Sequence, residues 1–141
     1  MGEVRVKLKV QGYTLAEGFV GAAQTVDAIA DTGASVTVVS RRVAKAAGVV
    51  IDPDVPAHIT GAVGRLKVPV GLAVLLPSGC GCEPEAVLVA VSDRITKNAG
   101  AEVILGHDYM QRAHMAVHPQ PRRAACAPPT TRARAKKARR A

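Results

Sequence analysis

The sequence predicts a mostly β domain, a barrel or sandwich of short strands. Three observations predict it. Apolar residues make up 48% of the 141, ample for a core, yet aromatics are only 2%. Val, Ala, Leu and Ile must therefore fill that core, and valine suits a pleated, half-buried surface. The chain opens on a period-two alternation of apolar and basic residues. Turn residues then recur at short intervals, leaving room for only two short helices.

The elements follow in order. Val4, Val6, Leu8 and Val10 alternate with Arg5, Lys7 and Lys9, a strand with one wet face. Gln11-Gly12 can turn it, and residues 19–23 and 25–30 read as extended. Asp31-Thr32-Gly33-Ala34-Ser35 is a polar break before another strand, Val36–Val39. Ser40 caps a short helix over 41–47, which Gly48 ends. Asp52-Pro53-Asp54 is a loop. Residues 57–69 form a hairpin tipped by Thr60-Gly61-Ala62-Val63-Gly64. Strands 70–76 and 86–91 flank a turn that contains Cys80-Gly81-Cys82. Residues 92–100 read as a loop, and 102–105 as a short buried strand stopped by Gly106. A short helix over 108–114 and a last strand, 115–118, complete the body.

The length fits one domain, placed at residues 1–119, with an appendage over 120–141. The net charge of +8 belongs to that appendage. Arg122, Arg123, Arg132, Arg134, Lys136, Lys137, Arg139 and Arg140 supply eight of the nineteen cations. The remaining eleven balance the eleven acids of the body. Pro, Ala, Thr and Arg dominate residues 120–141, a composition expected to stay disordered. Eight cations on such a segment suit a nucleic acid or another acidic partner, and equally suit plain solubility. With no aromatics interleaved, base-specific reading is not expected. No apolar run approaches the ~20 residues that span a bilayer, and no secretory leader is evident. Three cysteines do not make a disulfide framework. Cys80 and Cys82 lack the further ligands of a zinc site and read as turn residues. The expected location is cytoplasmic, with the basic segment offering a nuclear address. No cofactor or metal is expected.

Asp31 carries the chemistry. Ile29 and Ala30 lead into it, which places a carboxylate at the end of a buried strand, where it needs its own hydrogen-bond donors. Asp-Thr-Gly alone is an ordinary turn sequence. The surroundings raise it: residues 31–39 resemble the active-site loop of the retropepsin-like aspartic proteases, the retroviral-type clan. Val103-Ile104-Leu105-Gly106-His107-Asp108-Tyr109-Met110 resembles that family's second signature, and residues 59–68 between them resemble its flap.

The resemblance implies a retropepsin-like acid-protease barrel with one Asp-Thr-Gly lobe per chain and a short C-terminal helix. It implies an aspartic endopeptidase. The chain holds one Asp-Thr-Gly, since Asp27, Asp93 and Asp108 lack the Thr-Gly that would follow. The second carboxylate would come from an identical subunit across a two-fold axis. Two carboxylates that close share one proton and activate a water between them. By the same resemblance Asp31 is catalytic, and Thr32, Gly33, Ala34 and Ser35 complete its loop. Ile59, Thr60, Gly61, Ala62, Val63 and Gly64 form the flap over a polypeptide substrate, and Ile104 lines a side-chain pocket. Residues 115–118 and the N-terminal strand would build the intersubunit sheet. Two departures separate the chain from the viral branch. Ser35 and His107 stand where the retroviral enzymes often have an acid and an arginine that pair. The long 92–100 segment also leaves the pocket wall there undefined. The runner-up is an inactive dimeric interaction module with a nucleic-acid-binding tail, since fold does not guarantee function. A phosphate-binding role like that of the two-lobed actin or sugar-kinase folds needs a far longer chain.

Overall fold

The opening alternation becomes β1 (Glu3–Thr14), with Val4, Leu8 and Val10 buried and Arg5, Lys7 and Lys9 outward. The computed structural model describes residues 3–61, 64–119 and 122–127. The two extended segments expected after the first turn are one strand, β2 (Gly18–Asp31), which pairs antiparallel with β1 from Glu3↔Asp31 to Thr14↔Gly18. Asp31 is its last residue.

β3 (Val38–Val39) leads into α1 (Arg41–Ala46), capped by the Ser40 side chain, which accepts from the Val43 N–H. Gly48 then turns the chain at a φ of 74°. Here α1 ends against the β1–β2 pair. A Cβ on Gly12 would stand 2.4 Å from the Gly48 carbonyl oxygen, so only glycine lets the chain pass this close.

β4 (Ile51–Gly61) and β5 (Gly64–Pro77) make the long hairpin, closed at Gly61↔Gly64. The loop expected at residues 52–54 lies inside β4, where the ladder breaks register between Asp52 and Ala57. β6 (Glu85–Val91) returns antiparallel to β5. The loop expected over 92–100 is instead helix α2 (Asp93–Ala99). Ser92 caps its start, Asp93 stands in its first turn, and Gly100 ends it in the left-handed conformation. β7 (Val103–Leu105), α3 (His107–Ala113) and β8 (Met115–Pro119) then follow at the expected places.

The strands lie in the order β1-β2-β7-β3-β6-β5-β4, and β1 also pairs with β5. That extra pairing closes six strands into a barrel and leaves β4 as an overhanging edge. The fold is mostly β, as the composition predicts. The main core gathers Leu8, Val10, Val39, Leu75, Val89, Val103, Leu105 and Tyr109. A smaller cluster of Val38, Val68, Val70, Ala90 and Ile104 lies between the barrel and the overhang.

The C-terminal boundary differs from the expected one. Residues Arg122–Cys126 form β9, antiparallel to β8, so the ordered body passes residue 119. Composition averaged over the appendage hides this. Within it Ala124 and Cys126 are buried, the Cys126 N–H donates to the Cys80 carbonyl at 2.8 Å, and Cys126 is disulfide-bonded to Cys82. Cys82 and Cys126 are thus a cross-link, and Cys80 is a buried free thiol, raised in pKa by that burial. β8, expected to pair between subunits, is paired along one edge by its own chain. Residues 128–141, including six of the eight clustered cations, lie outside the described residues.

Candidate active site

Three features of the local sequence place Asp31. The apolar run Ala28-Ile29-Ala30 is buried and drives β2 through the barrel, pairing in parallel with β7. At Asp31 burial lessens and the chain turns. The Gly33 N–H donates to Asp31 Oδ1 at 2.9 Å, and the Ala34 N–H donates to the Asp31 carbonyl at 3.1 Å. The carboxylate is therefore held by its own loop, and Asp31 lines the cavity beside it.

That cavity measures about 330 Å3. Asp31, Gly33, Ala34 and Ser35 form one side of it, and Ile59, Thr60 and Gly61 of the β4–β5 hairpin form another. Ile104, from β7, forms part of the base. Of the described residues that the sequence singled out, the structure brings all but Thr32 and Gly64 to this cavity. Thr32 turns to the opposite side and lines a larger recess of about 730 Å3 between α3 and β8, beside His107, His114 and Met115. Among the described residues that recess is lined by two histidines and no carboxylate, whereas the smaller cavity has Asp31 in its lining. Ala62 and Val63 lie outside the described residues. Gly64 closes the hairpin ladder opposite Gly61.

Sequence reasoning missed five lining residues. Val36 lies in the bend before β3, which is shorter than the strand expected over 36–39, Val38 belongs to β3, and Ile95, Asn98 and Ala99 belong to α2. The α2 residues were legible in principle, because Ser92-Asp93 and Gly100 are helix start and stop signals.

It also missed what braces the loop. Thr37 is fully buried inside an apolar run. Its hydroxyl donates to Asp108 Oδ1 at 2.7 Å, its N–H donates to Asp108 Oδ2 at 3.2 Å, and its oxygen accepts from the Gly106 N–H at 3.1 Å. Asp108 Oδ1 also accepts from the Tyr109 N–H at 2.7 Å. Two backbone bonds run beside this knot, from His107 N–H to Ala34 O at 2.7 Å and from Asp108 N–H to Ser35 O at 3.3 Å. The Ser35 and His107 side chains cannot make the viral acid–arginine pair, and main chain with the Asp108 carboxylate joins the same two segments. Gly106 is required where they cross: a Cβ there would lie 2.4 Å from the Val36 carbonyl.

Chemically, the arrangement offers one carboxylate at the edge of a cavity otherwise walled by aliphatic and small polar side chains. A hairpin overhangs it. Such a group can accept or donate a proton to a bound molecule. Among the described residues no group of three or more His, Cys, Asp or Glu is placed to hold a metal.

Comparison with known proteins bears on this geometry. A family model described as "gag-polyprotein putative aspartyl protease" matches residues 19–112, from β2 to α3. The match takes in Asp31, the hairpin, α2 and Ile104. It omits β1 and the β8–β9 pair. Among solved structures, the retroviral protease-like domain of Ddi1 from Leishmania major is similar at 16% identity, over 82% of each chain, with a TM-score of 0.43. No curated protein matches the chain.

Proposed function

The chain belongs to the gag-polyprotein aspartyl protease family, and from that premise we propose that it is an aspartic endopeptidase active as a homodimer. The observation that carries this is Asp31, fixed through Oδ1 by the Gly33 N–H and set with the hairpin tip around one cavity. One such carboxylate is half of the required pair, and the chain has no second Asp-Thr-Gly. A two-fold axis beside the loop supplies the other from an identical chain. Thr32 supports this reading, because it lies on the recess between α3 and β8, away from the substrate cavity, where a second chain can meet it.

In the mechanism the two Asp31 carboxylates share one proton, since like charges that close do not both stay ionised. A water lies between them. The ionised carboxylate takes a proton from it as its oxygen attacks the scissile carbonyl carbon, and the other carboxyl gives its proton to the carbonyl oxygen. The resulting tetrahedral diol collapses, the carbon–nitrogen bond breaks, and the amine nitrogen leaves with a proton returned by the pair. Gly33 lets the substrate backbone approach. The β4–β5 hairpin, with Thr60 and Gly61 on the cavity, closes over an extended peptide and excludes water.

The test is cleavage of an unstructured, apolar-rich polypeptide from about pH 4 to 7, the range in which such pairs titrate. Wild type cuts and Asp31→Asn does not. Equal cutting by both, or none by wild type while the dimer is present, removes the proposal and leaves a dimeric interaction module as the reading. Activity also falls faster than enzyme concentration below the dimer dissociation constant, because each site needs two chains. Strict proportionality there excludes a shared site.

A further inference from the structure

We propose that the recess between β1, the β5–β6 turn and β9 binds the phosphate backbone of double-stranded nucleic acid without reading its bases. This is a second site. The recess shares no lining residue with the Asp31 cavity, and its test does not depend on cleavage.

The lining supports it first. Arg5 and Lys7 of β1 and Arg122 and Arg123 of β9 line one concavity of about 370 Å3, together with Ser78 and Gly79 of the turn. No Asp or Glu is among the residues lining it. All four cations are exposed, and among the described residues neither Arg122 nor Arg123 pairs with an acid. Lys7 pairs with Asp27 at 2.6 Å, an exposed contact that a phosphate can displace. The Arg5 guanidinium donates to the Gly100 carbonyl at 3.4 Å, which uses only part of its fork of donors.

The four cations come from opposite ends of the chain, and the fold fastens them together. The Ser78 N–H donates to the Lys7 carbonyl at 2.9 Å, which ties the turn to β1. The Cys82–Cys126 disulfide and the bond from the Cys126 N–H to the Cys80 carbonyl, at 2.8 Å, tie β9 to the same turn. On its other side β9 pairs with β8, with Arg123 opposite His118. The backbone that carries the cations is therefore fixed before a ligand arrives, which lowers the ordering cost of binding.

The class of ligand follows from what the recess has and lacks. Three of its four cations are arginines, whose planar forks match phosphate oxygens. No aromatic residue lines it. Tyr13 and Phe19 stack on each other, and Tyr109 is fully buried. Single-stranded nucleic acid is held largely by stacking on aromatics, whereas a duplex offers a denser row of phosphates and needs none. Beyond β9 the sequence carries six more cations, Arg132, Arg134, Lys136, Lys137, Arg139 and Arg140. One small phosphate cannot use so many, and a polymer can.

The experiment measures binding of the oxidised, full-length chain to a fluorescein-labelled DNA duplex of about 20 base pairs, by anisotropy, from about 50 to 200 mM salt. Wild type binds with an affinity that falls steeply with salt and does not change when the duplex sequence is scrambled. Arg5→Gln weakens binding about fivefold and reduces the salt slope by about 1. Arg122→Gln with Arg123→Gln reduces the slope by about 2. Arg5→Lys keeps the wild-type slope, because it keeps the charge. Affinity and slope unchanged in Arg5→Gln would mean that the cations after β9 act alone, and overturn the recess. A loss as large in Arg5→Lys as in Arg5→Gln would make Arg5 a structural residue and overturn it equally. Binding of polyglutamate as tight as that of the duplex overturns the phosphate assignment, and so does the absence of duplex binding at the lowest salt.

Discussion

The loop at Asp31 and the tip of the β4–β5 hairpin meet across one cavity and are built in opposite ways. The loop is over-determined. Gly33 fixes the Asp31 carboxylate, Thr37 and Asp108 tie the exit of the loop to α3, and Gly106 leaves no space for a side chain where the segments cross. The hairpin tip is held by its own ladder and by one apolar face, Ile59 and Leu66 on the small cluster, while Thr60 and Gly61 are exposed. A Cβ built on Gly61 or Gly64 meets nothing within 4 Å. Reacting groups have to be held within a fraction of an ångström, whereas a cover has to open. The same residue type, glycine, serves the first region by admitting close contact and the second by leaving freedom.

The largest expected effect tests that contrast directly. Gly106→Ala forces a methyl group to 2.4 Å from the Val36 backbone, which cannot give without moving the Asp31 loop. Urea unfolding is expected to show a loss of at least about 3 kcal/mol, with cleavage abolished in whatever folds. A loss below about 1 kcal/mol would mean that the crossing is looser than the contact implies.

Next in size is the knot itself. Asp108→Ala removes the acceptors of the Thr37 hydroxyl, the Thr37 N–H and the Tyr109 N–H, and leaves a fully buried threonine unpartnered there. The expected cost is about 2–3 kcal/mol, and Asp108→Asn, which keeps one carbonyl acceptor, recovers about half of it. If alanine and asparagine cost the same, the carboxylate is not what holds the loop.

The fold was legible because its signals are local and redundant. Period-two alternation in β1, Ser40 before α1 and Gly106 after β7 each follow from two or three adjacent residues. Asp31 was legible because a polar break after Ile29-Ala30 has to sit at a strand end. The Thr37–Asp108 knot was not, because its partners are 71 residues apart and each reads alone as unremarkable: a threonine in a strand, an aspartate in a first helical turn. The same holds for Cys82 and Cys126, 44 residues apart. Two paired cysteines among three cannot be chosen by spacing. α2 was missed for a different reason. Its caps are in the sequence, but seven residues with two cations show little periodicity.

Gly61→Ala probes the freer half and is expected to do little. With open space around the position and no unusual backbone angle, stability should stay within about 0.5 kcal/mol of wild type. Stiffening the tip should alter cleavage by no more than about fivefold, the scale of the chain entropy that a glycine-to-alanine change removes. A stability loss as large as that of Gly106→Ala would erase the distinction between the two loops.

The smallest effect lies where the braced region ends. Ser40, after β3, donates its hydroxyl to Glu102 and its N–H to the Glu102 carbonyl at 2.8 Å, and Arg42 stands 3.1 Å from the same carboxylate. The Ser40 hydrogen bond and then Arg42 hold the Glu102 carboxyl below its usual range. A carboxyl lowered in the folded state adds stability above its unfolded value and loses it as pH falls through the folded one. Wild type should therefore exceed Glu102→Gln at pH 7 and lose that advantage on acidification below about pH 4. Arg42 is mostly exposed and Glu102 is partly so, so solvent screens the pair and the difference is expected at about 0.5 kcal/mol or less, read as a Tm gap that closes with acid. A gap that widens with acid would show that Glu102 is disfavoured as an anion, and that the end of the brace is held by the Ser40 backbone alone.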